Sequence, residues 1–258
     1  MNAISVSRAD SLARLVATLA LGVAVVGASS LAPVVAADKK EENKVSKDLA
    51  KPLKAAQDAL QAKPPKLQEA VAKLKEAEAN PEKTPYDEHI INVFAAFAYA
   101  RLGDYPEAEQ AFAAQLNDGF TSPADFPHII EVVAKLNYQL KNYARAAEFG
   151  TRALKESAED EELYILVSQA YYLNGQYDAA REFLVRRIES LERQGREVPR
   201  QHLQLIAGSC IRLQDSACVT TYYKRLNGPK GLDTPRHPIL NDPELKHDAM
   251  FQVNASSQ

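Results

Sequence analysis

From Val45 to about residue 227 the apolar positions recur every three or four residues, and no stretch alternates at period two. At 3.6 residues per turn that spacing puts the apolar side chains on one side of a helix, so the segment is expected to be helical throughout. Stops and starts cut it into separate helices. Thr84-Pro85 and Ser122-Pro123 each offer an N-capping hydroxyl, followed by a proline whose missing N–H is no loss at the first helical position. Gly103 and Gly175 stand where helices are expected to end, because glycine enters the left-handed conformation without strain. Asp87, Glu88, Glu107 and the acidic run 159–162 crowd helix starts, where the positive end of the helix dipole favours carboxylates.

Both ends of the chain break the pattern. Residues 1–14 form a short start with Arg8 and Arg14, Leu15 to Ala32 are almost wholly apolar or small, and the charged stretch DKKEENK follows Ala37. A basic start, an apolar run and small residues at the −3 and −1 positions describe a cleavable signal peptide over residues 1–37, cut after Ala36 or after Ala37. An uncleaved membrane anchor is the alternative, since about 18 apolar residues just span a bilayer. Gly22, Gly27, Ser29, Ser30 and Pro33 make that run a poor helix and favour cleavage. Residues 38–44 then read as a charged linker. At the other end, Pro229, Pro235, Pro238 and Pro243 forbid a long helix, so 228–258 reads as an irregular tail. Ile239, Leu240, Met250 and Phe251 give that tail something to pack over the last helices, although the composition favours a mobile tail.

Between these ends the helices come in pairs, and the pairs repeat. YARLGDYPEAEQAF (99–112), YQLKNYARAAEFG (138–150) and YLNGQYDAAREFL (172–184) align so that Tyr105, Tyr143 and Tyr177 are equivalent. Ala108, Ala146 and Ala180 each follow by three residues. Fainter copies flank them at 66–79, with Leu67 in the tyrosine position, and at 212–226, with Ser216 there. A small residue on the first helix (Ala96, Ala134, Ser168) faces the alanine of the second, which lets the two backbones approach closely. These positions resemble the tetratricopeptide repeat, strongly over 87–194 and more faintly over 45–227, with spacings of 38 and 39 residues that imply longer loops and Asn137 in place of one aromatic. KPLKAAQDAL and LNYQLKNY are also similar to segments of exported bacterial repeat proteins, a likeness that brings no activity with it. The resemblance implies an all-α fold, a right-handed α-solenoid of about five helix hairpins over 45–227.

Composition changes little in this picture. Removing the leader takes away Arg8, Arg14 and Asp10 and leaves 29 basic and 33 acidic residues, a net charge of −4. That balance gives no electrostatic reason to expect nucleic acid or an anionic membrane as partner. None of His89, His128, His202, His237 and His247 stands at metal-ligand spacing with another histidine or a cysteine; the first three begin helices, where a packed or exposed side chain is expected. No nucleophile elbow, phosphate loop or dinucleotide fingerprint occurs, and the paired carboxylates sit where helix capping explains them. The expectation is therefore no enzyme, no cofactor and no metal.

Cys210 and Cys218 are the two cysteines, eight residues apart on either side of the last turn. In an exported protein such a pair is expected to bridge; if Cys218 points away from its partner, both stay reduced. The repeat positions carried over from the family place Arg101, Glu131, Lys135, Tyr138, Ile165, Gln169, Tyr172, Gln204 and Arg212 on the concave face. Two tyrosines interleaved with Lys, Arg and Gln suit a protein or peptide partner, unless Tyr138 and Tyr172 instead pack between repeats. The expected function is a non-enzymatic binding scaffold in the periplasm or outside the cell, with homo-oligomers allowed. The alternatives are a cell-envelope enzyme or wall-associated factor using the groove or tail, and a self-associating spacer.

Overall fold

The structure is a computed structural model, and it describes residues 43–227. The expected leader, nearly all of the linker and the tail lie outside the described residues. Ten α-helices fill the described segment: α1 (Lys47–Gln61), α2 (Leu67–Glu78), α3 (Pro85–Leu102), α4 (Tyr105–Gln115), α5 (Phe126–Gln139), α6 (Tyr143–Ala153), α7 (Glu161–Leu173), α8 (Tyr177–Arg193), α9 (Arg200–Arg212) and α10 (Ser216–Asn227). No strand occurs among the described residues. The chain divides into two compact units after Leu136, within α5.

In the first unit α1 packs on α2 and α3 on α4, with α3 also against α1 and α2. Small residues make the close approaches: Ala56, Ala70, Ala77, Ala96, Ala98 and Ala108 are all fully buried. Asp87 ties the unit together at one end. It is buried, its Oδ1 accepts the backbone N–H of Ser46 just before α1 at 2.8 Å, and its Oδ2 accepts the N–H and hydroxyl of Thr84 at 2.9 and 2.8 Å. Thr84 returns the bond by accepting the Asp87 N–H, a reciprocal capping box that starts α3 at Pro85 as the Thr-Pro pair predicts.

The second proline signal reads differently. Ser122 accepts the N–H of Asp125 at 3.2 Å and its carbonyl accepts the N–H of Phe126, but α5 begins only at Phe126. Pro127 explains the offset: it has no N–H to give Pro123, so Ser122 caps an isolated turn and the helix ladder starts one turn later. This corrects the expected helix start at Ser122-Pro123.

In the second unit α6 packs on α7, α7 on α8, α8 on α9 and α9 on α10, and α7 also meets α9. Gly150 on α6 makes the tightest approach, since a Cβ there would lie 2.5 Å from Val167 Cγ2 on α7. The last hairpin is held by Leu184 and Ile188 of α8 against Leu203, Leu205, Ile206 and Cys210 of α9, with Val219, Tyr222 and Leu226 of α10 half-buried on that cluster. Cys210 and Cys218 meet across the last turn with their Cα atoms 5.7 Å apart and their sulfurs in bonding contact.

The helix-to-helix turns share one geometry. Gly103 and Gly175 are left-handed at φ of 83° and 75°, and Lys141 and Gln214 take the equivalent places at φ of 61° and 57°. After each, one backbone N–H reaches back over the turn: Asp104 to Tyr99, Asn142 to Asn137, Gln176 to Tyr171, and Asp215 to Cys210. This is the bond of a Schellman ending, and it closes all four turns alike.

Candidate functional site

The sequence-derived surface residues fall in both units. In the first, Arg101 is exposed at the end of α3, with its guanidinium 5.4 Å from the centre of the Phe97 ring. Glu131 and Lys135 lie one turn apart on α5 and pair at 2.6 Å, each less than a fifth exposed. Spacing of i, i+4 brings any such pair together on a helix, so this bond largely neutralises the charge both could offer a ligand.

In the second unit Tyr138 donates its hydroxyl to Gln169 Oε1 at 2.8 Å, and its ring meets the edge of Tyr143 at 5.6 Å. Tyr138 is half-buried, so α5 and α7 are stitched here by a polar contact at the edge of a small apolar cluster of Ala146, Ala147 and Ala170. Ile165, Gln169 and Gln204 are half-exposed. Tyr172 is only 5% exposed and its ring meets Tyr177 at 5.2 Å, so it packs within the repeats instead of facing solvent. Burial pushes its phenol pKa up. Arg212, exposed on α9, lies 4.9 Å over the Tyr177 ring and spans from the last hairpin to the one before it. The turn tyrosine therefore covers a junction between hairpins, the role its repeat position predicts.

The chief charged cluster of the second unit escaped sequence reasoning. Arg187 on α8 is nearly buried, pairs with Glu161 on α7, reaches Glu159 at 3.4 Å, and stacks 4.2 Å over the Tyr164 ring. Arg196, on the connection into α9, pairs with Glu159 and reaches Glu161 at 3.4 Å. His202 on α9 is fully buried beside them, its Nε2 3.6 Å from Glu161 Oε2. Desolvation lowers the Arg187 pKa, but the Glu161 and Glu159 bonds more than offset this and the guanidinium stays charged. Glu159 is held below the usual carboxylate range chiefly by its bond to Arg196. No local signal could have disclosed this cluster, because its members come from four separate segments.

A second pair lies at the start of α3. His89 Nδ1 is 2.7 Å from Asp118 Oδ2, and the rings of Tyr86 and Phe120 flank the imidazole at 6.0 and 5.7 Å. Asp118 also accepts the Phe120 N–H at 2.9 Å, which closes the loop after α4. The pair fastens the loop after α4 to the start of α3. Among the described residues no three His, Cys, Asp or Glu side chains are gathered to hold a metal ion. Nor is any helix among them long and apolar enough to cross a membrane.

Residues 138–192 match the model of a tetratricopeptide repeat family. No curated protein matches the chain. A solved structure titled "Functional Characterization of Pseudomonas Aeruginosa pilF" is 16% identical, with 71% of this chain and 94% of that chain covered and a TM-score of 0.34.

Proposed function

We propose, from the tetratricopeptide repeat match over residues 138–192, that the chain is a non-enzymatic scaffold of that superfamily that holds a protein or peptide partner along its first-helix face, acting in the periplasm or outside the cell. One observation carries the reading. In the second unit α7 and α9 lie against each other and present half-exposed Ile165 and Gln169 on α7 and, at the repeat position equivalent to Ile165, Gln204 on α9. An apolar side chain flanked by two amides offers contact area together with backbone-like hydrogen bonding, which suits an extended peptide. Tyr138 extends that face beside Gln169; Tyr172 supports it from beneath. In the first unit Arg101 and the Glu131–Lys135 pair are the corresponding candidates.

The polar clusters favour a scaffold over an enzyme. His202 and Arg187 are enclosed by protein, and His89 is fixed to a loop carboxylate, so these groups serve the packing of helices and loops. Export through the leader over 1–37, with 45–227 as the working domain, completes the proposal and accounts for the two adjacent cysteines as a disulfide.

The test uses the triple variant Ile165→Glu, Gln169→Glu, Gln204→Glu of the mature chain. Wild type and variant are used as bait in cell-envelope extracts and the captured proteins are identified by mass spectrometry. A specific partner captured by wild type and lost by the variant, with far-ultraviolet circular dichroism unchanged, supports the face. Equal capture by both rejects it. A wild-type bait that captures only itself would point to the self-associating spacer.

A further inference from the structure

We propose that Glu161, Arg187 and His202 form an acid-sensitive latch that holds α9, and α10 with it, against α7 and α8. Neutral His202 keeps the latch closed, and its protonation frees the last hairpin.

The geometry carries this. His202 is completely enclosed at the first turn of α9. Neither ring nitrogen has a hydrogen-bond partner, and Glu161 Oε2 and Arg187 Nε beside it are likewise buried without one. Four such atoms in one place make the packing conditional, because each unmet group costs folding free energy that only the surrounding apolar contacts offset. The charged groups facing His202 already balance. From α7 comes Glu161, with Tyr164 beneath Arg187; from α8 comes Arg187; the loops before α7 and α9 bring Glu159 and Arg196. Arg200, on α9 itself, donates to the Leu226 carbonyl of α10, and Arg225 of α10 is paired with Glu192 of α8. Two carboxylates are thus matched by two guanidiniums around the ring, and a proton on His202 adds an uncompensated positive charge inside the protein.

Desolvation and the nearby Arg187 depress the His202 pKa, and Glu161 opposes them without prevailing. The sign follows from linkage. A histidine with a lowered folded pKa binds fewer protons folded than unfolded, so the closed state is favoured above the ordinary value of about 6.5 and loses ground as the pH falls below it. With one proton taken up on opening, the equilibrium constant for releasing α9 rises by up to about tenfold per pH unit below 6.5, until the folded pKa is reached. Because α10 packs on α9 and meets it again at Cys210 and Cys218, the two helices open together.

The experiment follows amide hydrogen exchange in the oxidised mature chain from pH 7.5 to pH 5.0, corrected for intrinsic exchange. The amides of α3 serve as an internal reference. Protection of α9 and α10 is expected to fall about tenfold per unit below pH 6.5 while that of α3 holds, and His202→Gln is expected to abolish the difference. Uniform loss in α3 and α9, or the same loss in His202→Gln, overturns the latch. If that variant does not fold, the ring titration of wild-type His202 by nuclear magnetic resonance decides alone. A midpoint well below 6.5 supports the latch, and one at or above 6.5 overturns it.

Discussion

Lys141 and Gln214 adopt the left-handed backbone that Gly103 and Gly175 adopt in the neighbouring turns. A side chain there meets its own carbonyl and costs about 1–2 kcal/mol, whereas glycine avoids the clash at an unfolded-state cost of about 0.5–1 kcal/mol. Lys141→Gly and Gln214→Gly should therefore each stabilise the protein by roughly 0.5–1 kcal/mol. A rise in the urea midpoint with unchanged slope is the expected readout, and a fall in either variant would contradict the shared turn geometry. The repeat alignment placed these two turns, but their left-handed residues were illegible where the glycine counterparts were plain, because lysine and glutamine enter this region only when the rest of the turn forces them there. Asp87 teaches the converse. Its acidity marked a helix start, but its reach to Ser46 joins two segments 41 residues apart and left no local trace. Burial alone would raise its pKa, yet the bonds from Ser46 and Thr84 prevail and hold it below the ordinary value of 3.8. The ionised carboxylate thus contributes stability that is present above pH 3.8 and lost as the pH falls through the lower folded value. Asp87→Asn should cost about 1–2 kcal/mol at pH 7 and much less near pH 2, measured by urea unfolding at both.

At the scale of helices, the repeat spacing foretold which elements would pair, and the exceptions have identifiable physical causes. Pro127 delayed α5 by a turn, a cause visible in the sequence but outweighed by the stronger Ser-Pro signal. The Arg187 cluster joins α7, α8 and two connections, and such a set forms only when the hairpins stack. Tyr172 shows the same limit: its repeat position places it on the first-helix face, and only the packing of Tyr177 against it shows that it is covered. The α6–α7 contact yields a firm expectation. Alanine at Gly150 gains about 1 kcal/mol of helix propensity. It also forces a Cβ to within 2.5 Å of Val167 Cγ2, and a β-branched side chain in a helix has little rotamer freedom to yield. Overpacking of this kind costs about 1–3 kcal/mol, so Gly150→Ala should be destabilising on balance. Val167→Ala in the same chain should return part of the loss, and additive effects in thermal melts would show that the two residues do not touch.

For the whole molecule, location and covalent state are coupled, and one measurement reads both. The proposed leader, cut after Ala36 or Ala37, predicts that exported protein begins at Ala37 or Asp38. Only in an oxidising compartment will the Cys210–Cys218 contact persist as a disulfide. The chain-entropy model credits a loop of this length with about 2.5 kcal/mol, a useful gain for the last of the described hairpins. Intact-mass analysis of protein from the exported fraction should therefore give a chain starting at one of those two residues and about 2 Da lighter than its reduced form. Protein made in the cytosol without residues 1–37 should retain both thiols and melt at a lower temperature until it is oxidised. An exported chain that keeps its leader would mean a membrane-anchored scaffold, whereas a cleaved chain with two free thiols would leave the terminal hairpin to its apolar cluster alone. In that second case α9 and α10 should lose protection to different extents in acid, because no covalent link makes the two helices open together once His202 is charged.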